Sequence, residues 1–520
     1  MSAMLFRPEQ PDSFLVRHRF WLLPLAAGLI LSALVYGILP LFGVGQFARL
    51  FSLKRVMMLV GGFVGAIGYV YYWRWIKTRP EWLVGFMVLA WPVVAHLNGH
   101  LLLAGINLRL RPLLIVTVAI PALWIAWRNR QIIWNGLPHF KIYLAFLGWL
   151  LLYFIFYNSH AQDPLTAGAG SDGSLGLIQL MSYLYCALGM ALSAVAILKN
   201  PNPQQFFDKF NQGLLWISAG VALYTIVGYP TLLTSLWLDG FLRALGIFAH
   251  PNPFAHHMGL LLLYLFGLFL YYQGSNHSRI SHGLLYVSLA LNVVAFLLGL
   301  SKTAIAVFTV CATIMLLMNL SSPVVRQHGV KLAVGAIILA PLGLFAYQLI
   351  TGQSFMEIIE SRLEETDSLE WRTQVWEYLI ANIHGWWIIT GHGFTNANEW
   401  VYQLTLDVEK NAKPLMMVHN GYIALLYDLG IMGYLFFVAV FRLMGSAFTG
   451  WLNRQQLPEI QPLQTTILAM SLYFLVVCGF DEMTYMFDAP MMFWILTSLM
   501  FTLCSLNLKT PETTFTGGVR

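Results

Sequence analysis

The sequence predicts an all-α integral membrane protein, a polytopic bundle of about 12–14 transmembrane helices with one large, partly helical external loop. Three observations carry that prediction. Of 520 residues, 58% are hydrophobic and only 10% charged, whereas soluble domains carry about 25% charged residues. Apolar runs recur along the whole chain at lengths close to the roughly 20 residues a helix needs to cross hydrocarbon. Aromatic residues make up 15%, with 18 Trp and 23 Tyr, side chains that sit at both bilayer interfaces with one end wet.

Taken in order, roughly fourteen runs qualify as spans. They are 20–42, 56–74, 82–97, 111–127, 139–157, 174–198, 211–228, 254–272, 282–299, 301–319, 330–350, 419–443, 463–480 and 488–505. The first follows Arg7, Arg17 and Arg19 and lacks a small-residue cleavage site, so it reads as a retained span rather than a signal peptide. With a cytoplasmic N-terminus, the inside connections carry Arg74, Lys77 and Arg79, then Arg128, Arg130 and Lys141, then Lys199 and Lys209. Arg279, Arg326, Lys331, Arg442, Arg454, Lys509 and Arg520 continue the positive-inside bias. Arg49, Lys54 and Arg55 disagree, so the first spans are either miscounted or partly interfacial. The membrane domain is then 1–350, the external loop 351–418, and 419–508 the C-terminal spans of the same domain. That loop holds ten Asp or Glu against four Lys or Arg. In it Phe355, Ile358, Ile359 and Leu363, then Val375, Trp376, Leu379, Ile380 and Ile383, recur at helical spacing and predict amphipathic helices on the membrane surface.

Composition excludes several function classes. The net charge of +6 comes without a basic stripe interleaved with aromatics, so no nucleic-acid partner is expected. Cys186, Cys311, Cys478 and Cys504 lie in apolar runs and form no C-x-x-C pair, so neither a disulfide framework nor a zinc site is indicated. No metal and no cofactor is expected. No internal repeat or low-complexity stretch marks a second soluble domain.

Under this topology the unusual polar residues gather at the external membrane ends. "LDGFLRALGIFAHPNPFAHHMG" supplies Arg243, His250 and Asn252, and "LGLSKTAIAVF" supplies Ser301 and Lys302 at a tight turn. The loop contributes Arg372 in "EWRTQVWEYL" and ends on His419 and Asn420, and the last external turn adds Asp481 and Glu482. One cavity collecting Arg243, Lys302 and Arg372 beside an imidazole suits a phosphate-bearing ligand, because guanidinium forks and an ammonium bind phosphate oxygens. His419 is then a proton acceptor for a hydroxyl.

Each residue has a plainer reading. Arg243 and Lys302 singly suit interfacial anchors, and Arg372 shares a helix face with Trp376, on which it could simply stack. Asn420 could be only an N-cap. His256 and His257 read as bundle or interface residues. Asp428, about two and a half turns into its span, needs a partner or a wet cavity. Gly421, Gly430 and Gly433 read as close helix packing. Pro251 and Pro253, flanking Asn252, predict a rigid non-helical entry to the eighth span.

Four stretches together carry a resemblance. "HNGYIALLYDLGIMG" resembles the C-terminal signature of the O-antigen ligase and O-antigen polymerase superfamily. "RALGIFAHPNPFA" is similar to its R-x-x-G-x-F-x-N-P-N element, "LSKTAI" to its Leu-Ser-Arg element, and "WRTQVW" followed by "GHGF" to its loop element. The similarity covers about 210–443. His250 stands where the family commonly has another small or polar residue, and Lys302 replaces the commoner Arg.

The resemblance implies a helical membrane fold of the GT-C type in a bacterial inner membrane, with its site facing the periplasm. It implies transfer of a glycan from an undecaprenyl-pyrophosphate carrier to an acceptor sugar hydroxyl, inverting and without an obligatory metal. His419 would be the general base, and Arg243, Lys302 and Arg372 would hold the pyrophosphate, with Asn420, Asn252, His250, Ser301 and Glu482 in support. The partners implied are the undecaprenyl-pyrophosphate-linked oligosaccharide, the glycan acceptor, membrane lipids, and a chain-length regulator or other export-pathway protein. A polymerase of a surface or secreted polysaccharide is the leading expectation. An O-antigen ligase acting on lipid A core and a protein-glycosylating oligosaccharyltransferase are the other branches. The competing class is a transporter or lipid flippase, which usually shows repeat-related halves and ionisable groups near the midplane.

Overall fold

Among the described residues, four helices start on a proline, at Pro80, Pro138, Pro203 and Pro251. That is where a missing N–H leaves no bond unmade and the fixed φ is already helical. The computed structural model describes residues 71–76, 79–89, 100–103, 106–156, 174–238, 241–248, 250–274, 280–320, 325, 348, 367–394, 396–397, 401, 418–453, 458–481, 483–484 and 488–507. The chain divides into two units, 1–78 and 79–520. Helical residues 71–76 belong to the first; every element below belongs to the second.

In chain order these are α1 (Pro80–Leu89), the hairpin β1 (His100–Leu103) and β2 (Ile106–Arg109), α2 (Leu110–Arg128), α3 (Arg130–Gly136), α4 (Pro138–Phe156), α5 (Ser174–Leu198) and α6 (Pro203–Gly228). A second antiparallel hairpin, β3 (Ser235–Leu238) and β4 (Phe241–Ala244), leads to α7 (Pro251–Gly274), α8 (His282–Leu298) and α9 (Lys302–Met318). The loop region contributes α10 (Asp367–Asn382) and the single turn α11 (Trp387–Thr390). The C-terminal part comprises α12 (Gly421–Leu429), a 3-10 turn Gly430–Tyr434, α13 (Leu435–Leu452), α14 (Gln461–Cys478) and α15 (Asp488–Asn507). Among the described residues, seven helical stretches are long and apolar enough to cross a membrane, with shorter apolar helices at Val118–Arg128, His282–Leu298 and Lys302–Met318. The protein is an all-α, multi-pass membrane protein.

Burial separates the centre of the bundle from its rim. In the α7 stretch Pro251–Gln273, 94% of the residues in its apolar core are buried, against 39% in the α4 stretch Pro138–Ile155, so α7 is enclosed by protein while α4 keeps an exposed face. Close approach at the centre depends on small residues. A Cβ at Gly259 or Gly267 of α7 would strike Tyr473 or Thr466 of α14, and one at Gly189 of α5 would meet Ile495 of α15. The four cysteines are buried and unpaired.

Several expectations from sequence need correction. The span expected over 419–443 is broken: α12 stops at Leu429, Gly430 takes φ 65°, and a 3-10 turn precedes α13. Gly430 is therefore a chain break as well as a packing position. The predicted non-helical entry at Pro251 and Pro253 is instead the first turn of α7. The two short hairpins were not expected. Helix α10 does carry the apolar stripe read from the sequence, but protein covers it. Val375 and Leu379 are buried with Val418, Ala424 and Tyr427, and Trp376 and Ile383 pack against that cluster, while Ile380 stays 53% exposed. The expected span 20–42, nearly all of 56–74 and 330–350, the stripe Phe355 to Leu363, and Glu482 lie outside the described residues.

Candidate active site

The end of the bundle where α6, α8 and α14 finish and α7, α9 and α12 begin collects most of the polar residues singled out from sequence. Arg243 is brought there by the β3–β4 hairpin, where it pairs in register with Leu236. The hairpin is fastened to the end of α6 by three side-chain bonds. Thr234 donates to the Thr225 carbonyl at 2.7 Å, Ser235 to the Tyr229 carbonyl at 2.7 Å, and Tyr229 to the Leu242 carbonyl at 2.7 Å. Arg243 is 4% exposed, and a buried guanidinium must be matched by acceptors. Its Nε donates to the Gly299 carbonyl at 3.2 Å and its Nη2 to Asn252 Oδ1 at 2.6 Å. One side chain thus ties the hairpin to the first turn of α7 and to the turn between α8 and α9. His250 accepts from the Asn252 amide through Nδ1 at 3.2 Å.

The turn after Gly299 is tight because Leu300 adopts φ 49°. Ser301 is the N-cap of α9, accepting from the Ala304 amide at 3.4 Å. Lys302, the first residue of α9, is exposed. The Ser301 hydroxyl is therefore occupied in starting a helix, and the ammonium three residues beyond the Arg243 anchor point is presented at the surface.

Helix α7 carries this cluster to the next. His256 lies one turn beyond Asn252, about 6 Å along the same face. Its Nε2 is 2.9 Å from Asp481 Oδ2, and Asp481 Oδ1 is 3.5 Å from His419 Nδ1. All three side chains are buried. The 2.9 Å contact is a full hydrogen bond, whereas 3.5 Å is an ion-pair distance longer than the about 2.7–3.2 Å of an N–H···O bond. Burial alone would raise the Asp481 carboxyl, but the His256 hydrogen bond and the two imidazoles beside it outweigh burial and hold the group below the ordinary carboxylate range. Asp481 is thus an anion shared by two imidazoles.

His419 has φ 55°, a left-handed conformation uncommon outside glycine, and such strain persists where surrounding structure enforces it. Asn420 supplies the enforcement. It caps α12, with Oδ1 accepting from the Tyr422 amide at 3.0 Å and the Ile423 amide at 3.1 Å. Its Nδ2 donates to the Gly479 carbonyl at 3.1 Å, and Tyr422 donates to the Leu475 carbonyl at 2.7 Å. The start of α12 is thereby stitched to the end of α14, the same end that delivers Asp481. From the other side, Trp376 Nε1 of α10 donates to the Val418 carbonyl at 2.8 Å, which turns the face shared by Trp376 and Arg372 toward the residue before His419.

Asp428 has found its partner in the loop. Its Oδ1 accepts from the Ala397 amide at 2.7 Å and its carbonyl from the Gly393 amide at 3.1 Å, while the His392 amide donates to the Tyr427 carbonyl at 2.7 Å. Gly391 and Gly430, both with positive φ, face each other so closely that a Cβ on either would strike the other segment's backbone. The His392 ring is sandwiched between Trp387 and Tyr427, at 4.5 Å and 4.3 Å. Trp149 and Tyr153 of α4 donate to the Leu429 and Gly391 carbonyls at 3.3 Å and 3.2 Å, bracing this junction.

Residues 287–438 match the family model for O-antigen ligase. The match spans less than a third of the 520 residues and supports the resemblance to the O-antigen ligase and polymerase superfamily. The matched residues include Ser301, Lys302, Arg372, His419 and Asn420, whereas Arg243, His250, Asn252, His256 and Asp481 lie outside them. No curated protein matches the chain.

The structure thus joins His419 and Asn420 to Arg243 and Asn252 through His256 and Asp481. It sets Lys302 beside the Arg243 anchor and Arg372 on the helix that holds Val418. Two residues of this network were underrated from sequence. His256 read as a bundle residue, although its i+4 spacing from Asn252 places it on the same face. Asp481 read only as one of two acids in the last external turn, because nothing local shows which helix end a turn will meet.

Proposed function

We propose that this chain transfers an oligosaccharide from an undecaprenyl-pyrophosphate carrier to an acceptor sugar hydroxyl on the periplasmic face of a bacterial inner membrane, with inversion, and polymerises a surface or secreted polysaccharide. The supporting observation is the contact of His419 Nδ1 with the shared Asp481 carboxylate. A carboxylate on that side of the ring favours the tautomer with its proton on Nδ1, which leaves Nε2 as the acceptor. In the transfer, Nε2 of His419 takes the acceptor hydroxyl proton as that oxygen bonds to the anomeric carbon. The bond from that carbon to the pyrophosphate oxygen breaks and its electron pair leaves with the phosphate. Asp481 stabilises the imidazolium formed, and Arg243, Lys302 and Arg372 neutralise charge on the departing pyrophosphate. Arg243 suits this task because a guanidinium presents its N–H donors in a planar fork that matches phosphate oxygens.

The membrane domain, 1–350 and 419–508, would bind the lipid carrier. A chain-length regulator or other export-pathway component would act on this protein from outside the site. The test is to incubate the purified full chain with undecaprenyl-pyrophosphate oligosaccharide alone and resolve products by size. A ladder of multiples supports a polymerase. Transfer only after lipid A core is added replaces that reading with a ligase. No new glycan with either acceptor, together with uptake of labelled carrier lipid across vesicles, would make the protein a flippase.

A further inference from the structure

A second feature lies at the opposite end of the bundle. An open cleft of about 630 Å³ runs between α2, α3, α4 and α5, lined by Leu123, Trp127, Ile133, Leu144, Ala187 and Leu188 among others. Helix α4 connects it to the site end. Phe140 lines the cleft, while Tyr153 bonds to Gly391, roughly 20 Å further along the helix axis. The cleft is far too large for a single ordered water, and its walls are too apolar to hold a water cluster.

Its rim is cationic. Arg130 lies among the lining residues and its guanidinium sits 5.1 Å over the Trp127 ring; Arg128 sits 4.6 Å over Trp124, and the Lys141 ammonium 5.0 Å over Trp134. These three cations, with their indoles, fall within eighteen positions that an interface would accept, and the stretch from Arg128 to Lys141 contains no Asp or Glu. A cation held over an indole keeps its outward N–H donors available to an anion. Arg130 uses Nη1 on the Trp127 carbonyl at 3.3 Å, which leaves the rest of its fork. Apolar walls below a cationic, acid-free rim complement a molecule with a long hydrocarbon chain and a phosphate monoanion.

We propose that this cleft binds an anionic phospholipid of the bilayer, with an acyl chain between α2, α3, α4 and α5 and the phosphate against Arg130 and Lys141. The site is separate from the glycosyl-transfer end and does not depend on the function proposed there. The test is native mass spectrometry of the purified full chain with phosphatidylglycerol, phosphatidylethanolamine and undecaprenyl phosphate supplied together. Phosphatidylglycerol should be retained at least tenfold over phosphatidylethanolamine. The double variant Arg130→Gln with Lys141→Gln should lose that preference. Ala187→Phe with Ala191→Phe, which fills the cleft and keeps every charge, should lose the lipid. Equal retention of the two phospholipids by the unaltered protein, preferential capture of undecaprenyl phosphate, or undiminished retention by both folded variants overturns the proposal. The selectivity of the unaltered protein decides the matter even if a variant fails to fold.

Discussion

Gly430→Ala is the perturbation whose size follows most directly from the geometry. At φ 65° and ψ −162°, a region nearly reserved for glycine, an alanine costs about 1–3 kcal/mol from its Cβ alone. That Cβ would also strike the Ile389 carbonyl and come within 2.9 Å of the Gly391 amide, both backbone groups that cannot rotate away. The 389–397 segment must therefore lift from α12. Lifting breaks the bonds from the His392 amide to Tyr427, from Gly393 to the Asp428 carbonyl, and from Ala397 to the Asp428 carboxylate. At about 1 kcal/mol for each neutral bond and more for the charged acceptor, the local loss is about 4–6 kcal/mol. With 1.4 kcal/mol per decade, protection of those amides from hydrogen exchange should fall by about 10³ or more. Hydrogen–deuterium exchange with mass spectrometry on the purified protein reads peptides spanning 389–397. Protection within threefold of the unaltered protein would refute the claim that the two glycines hold the loop to the membrane domain.

Three further outcomes are expected. Asn420→Ala removes the cap of α12 and the tie to Gly479, so it should destabilise by about 1–2 kcal/mol and lower the unfolding temperature in detergent, with transfer reduced because His419 is no longer fixed. Asp481→Asn keeps the shape but removes the shared charge, and kcat should fall about 10²–10⁴-fold with KM little changed, as measured by rates of product formation. The third outcome is a pH dependence at the loop. Burial is the largest effect holding His392 below its ordinary value, with His384 adding to it and the Asn382 carbonyl opposing. A histidine with a folded pKa below the unfolded value of about 6.5 binds fewer protons folded than unfolded, so stability falls as pH drops below about 6.5. Exchange protection of the 389–397 peptides, compared between pH 7.5 and pH 5.5 after correction for intrinsic rates, should therefore decrease at the lower pH, and His392→Gln should abolish the difference.

Long apolar runs with clean punctuation were legible in the sequence. "GLSK" between two such runs placed α8 and α9 almost to the residue, because a hydrophobic helix leaves few alternatives for where its backbone bonds go. Gly430 was legible as a small residue but not as a break, since positive φ is dictated by what the chain meets, here Gly391 some forty residues earlier. Pro251 and Pro253 read as helix-breaking because the first-turn tolerance of proline depends on where the helix starts. His419, Asn420 and Arg243 stood out as polar residues where lipid would penalise them. Asp481 and His256 did not, because their meaning lies in a contact 225 residues apart that no local pattern encodes.

The account depends most on the imidazole at residue 419 and the carboxylate behind it. The most direct measurement is the rate of oligosaccharide transfer from the lipid-linked donor by His419→Ala, with insertion and folding checked on the same preparation. Loss of at least 10²-fold in rate is predicted. Transfer at the unaltered rate by the folded variant would contradict the account.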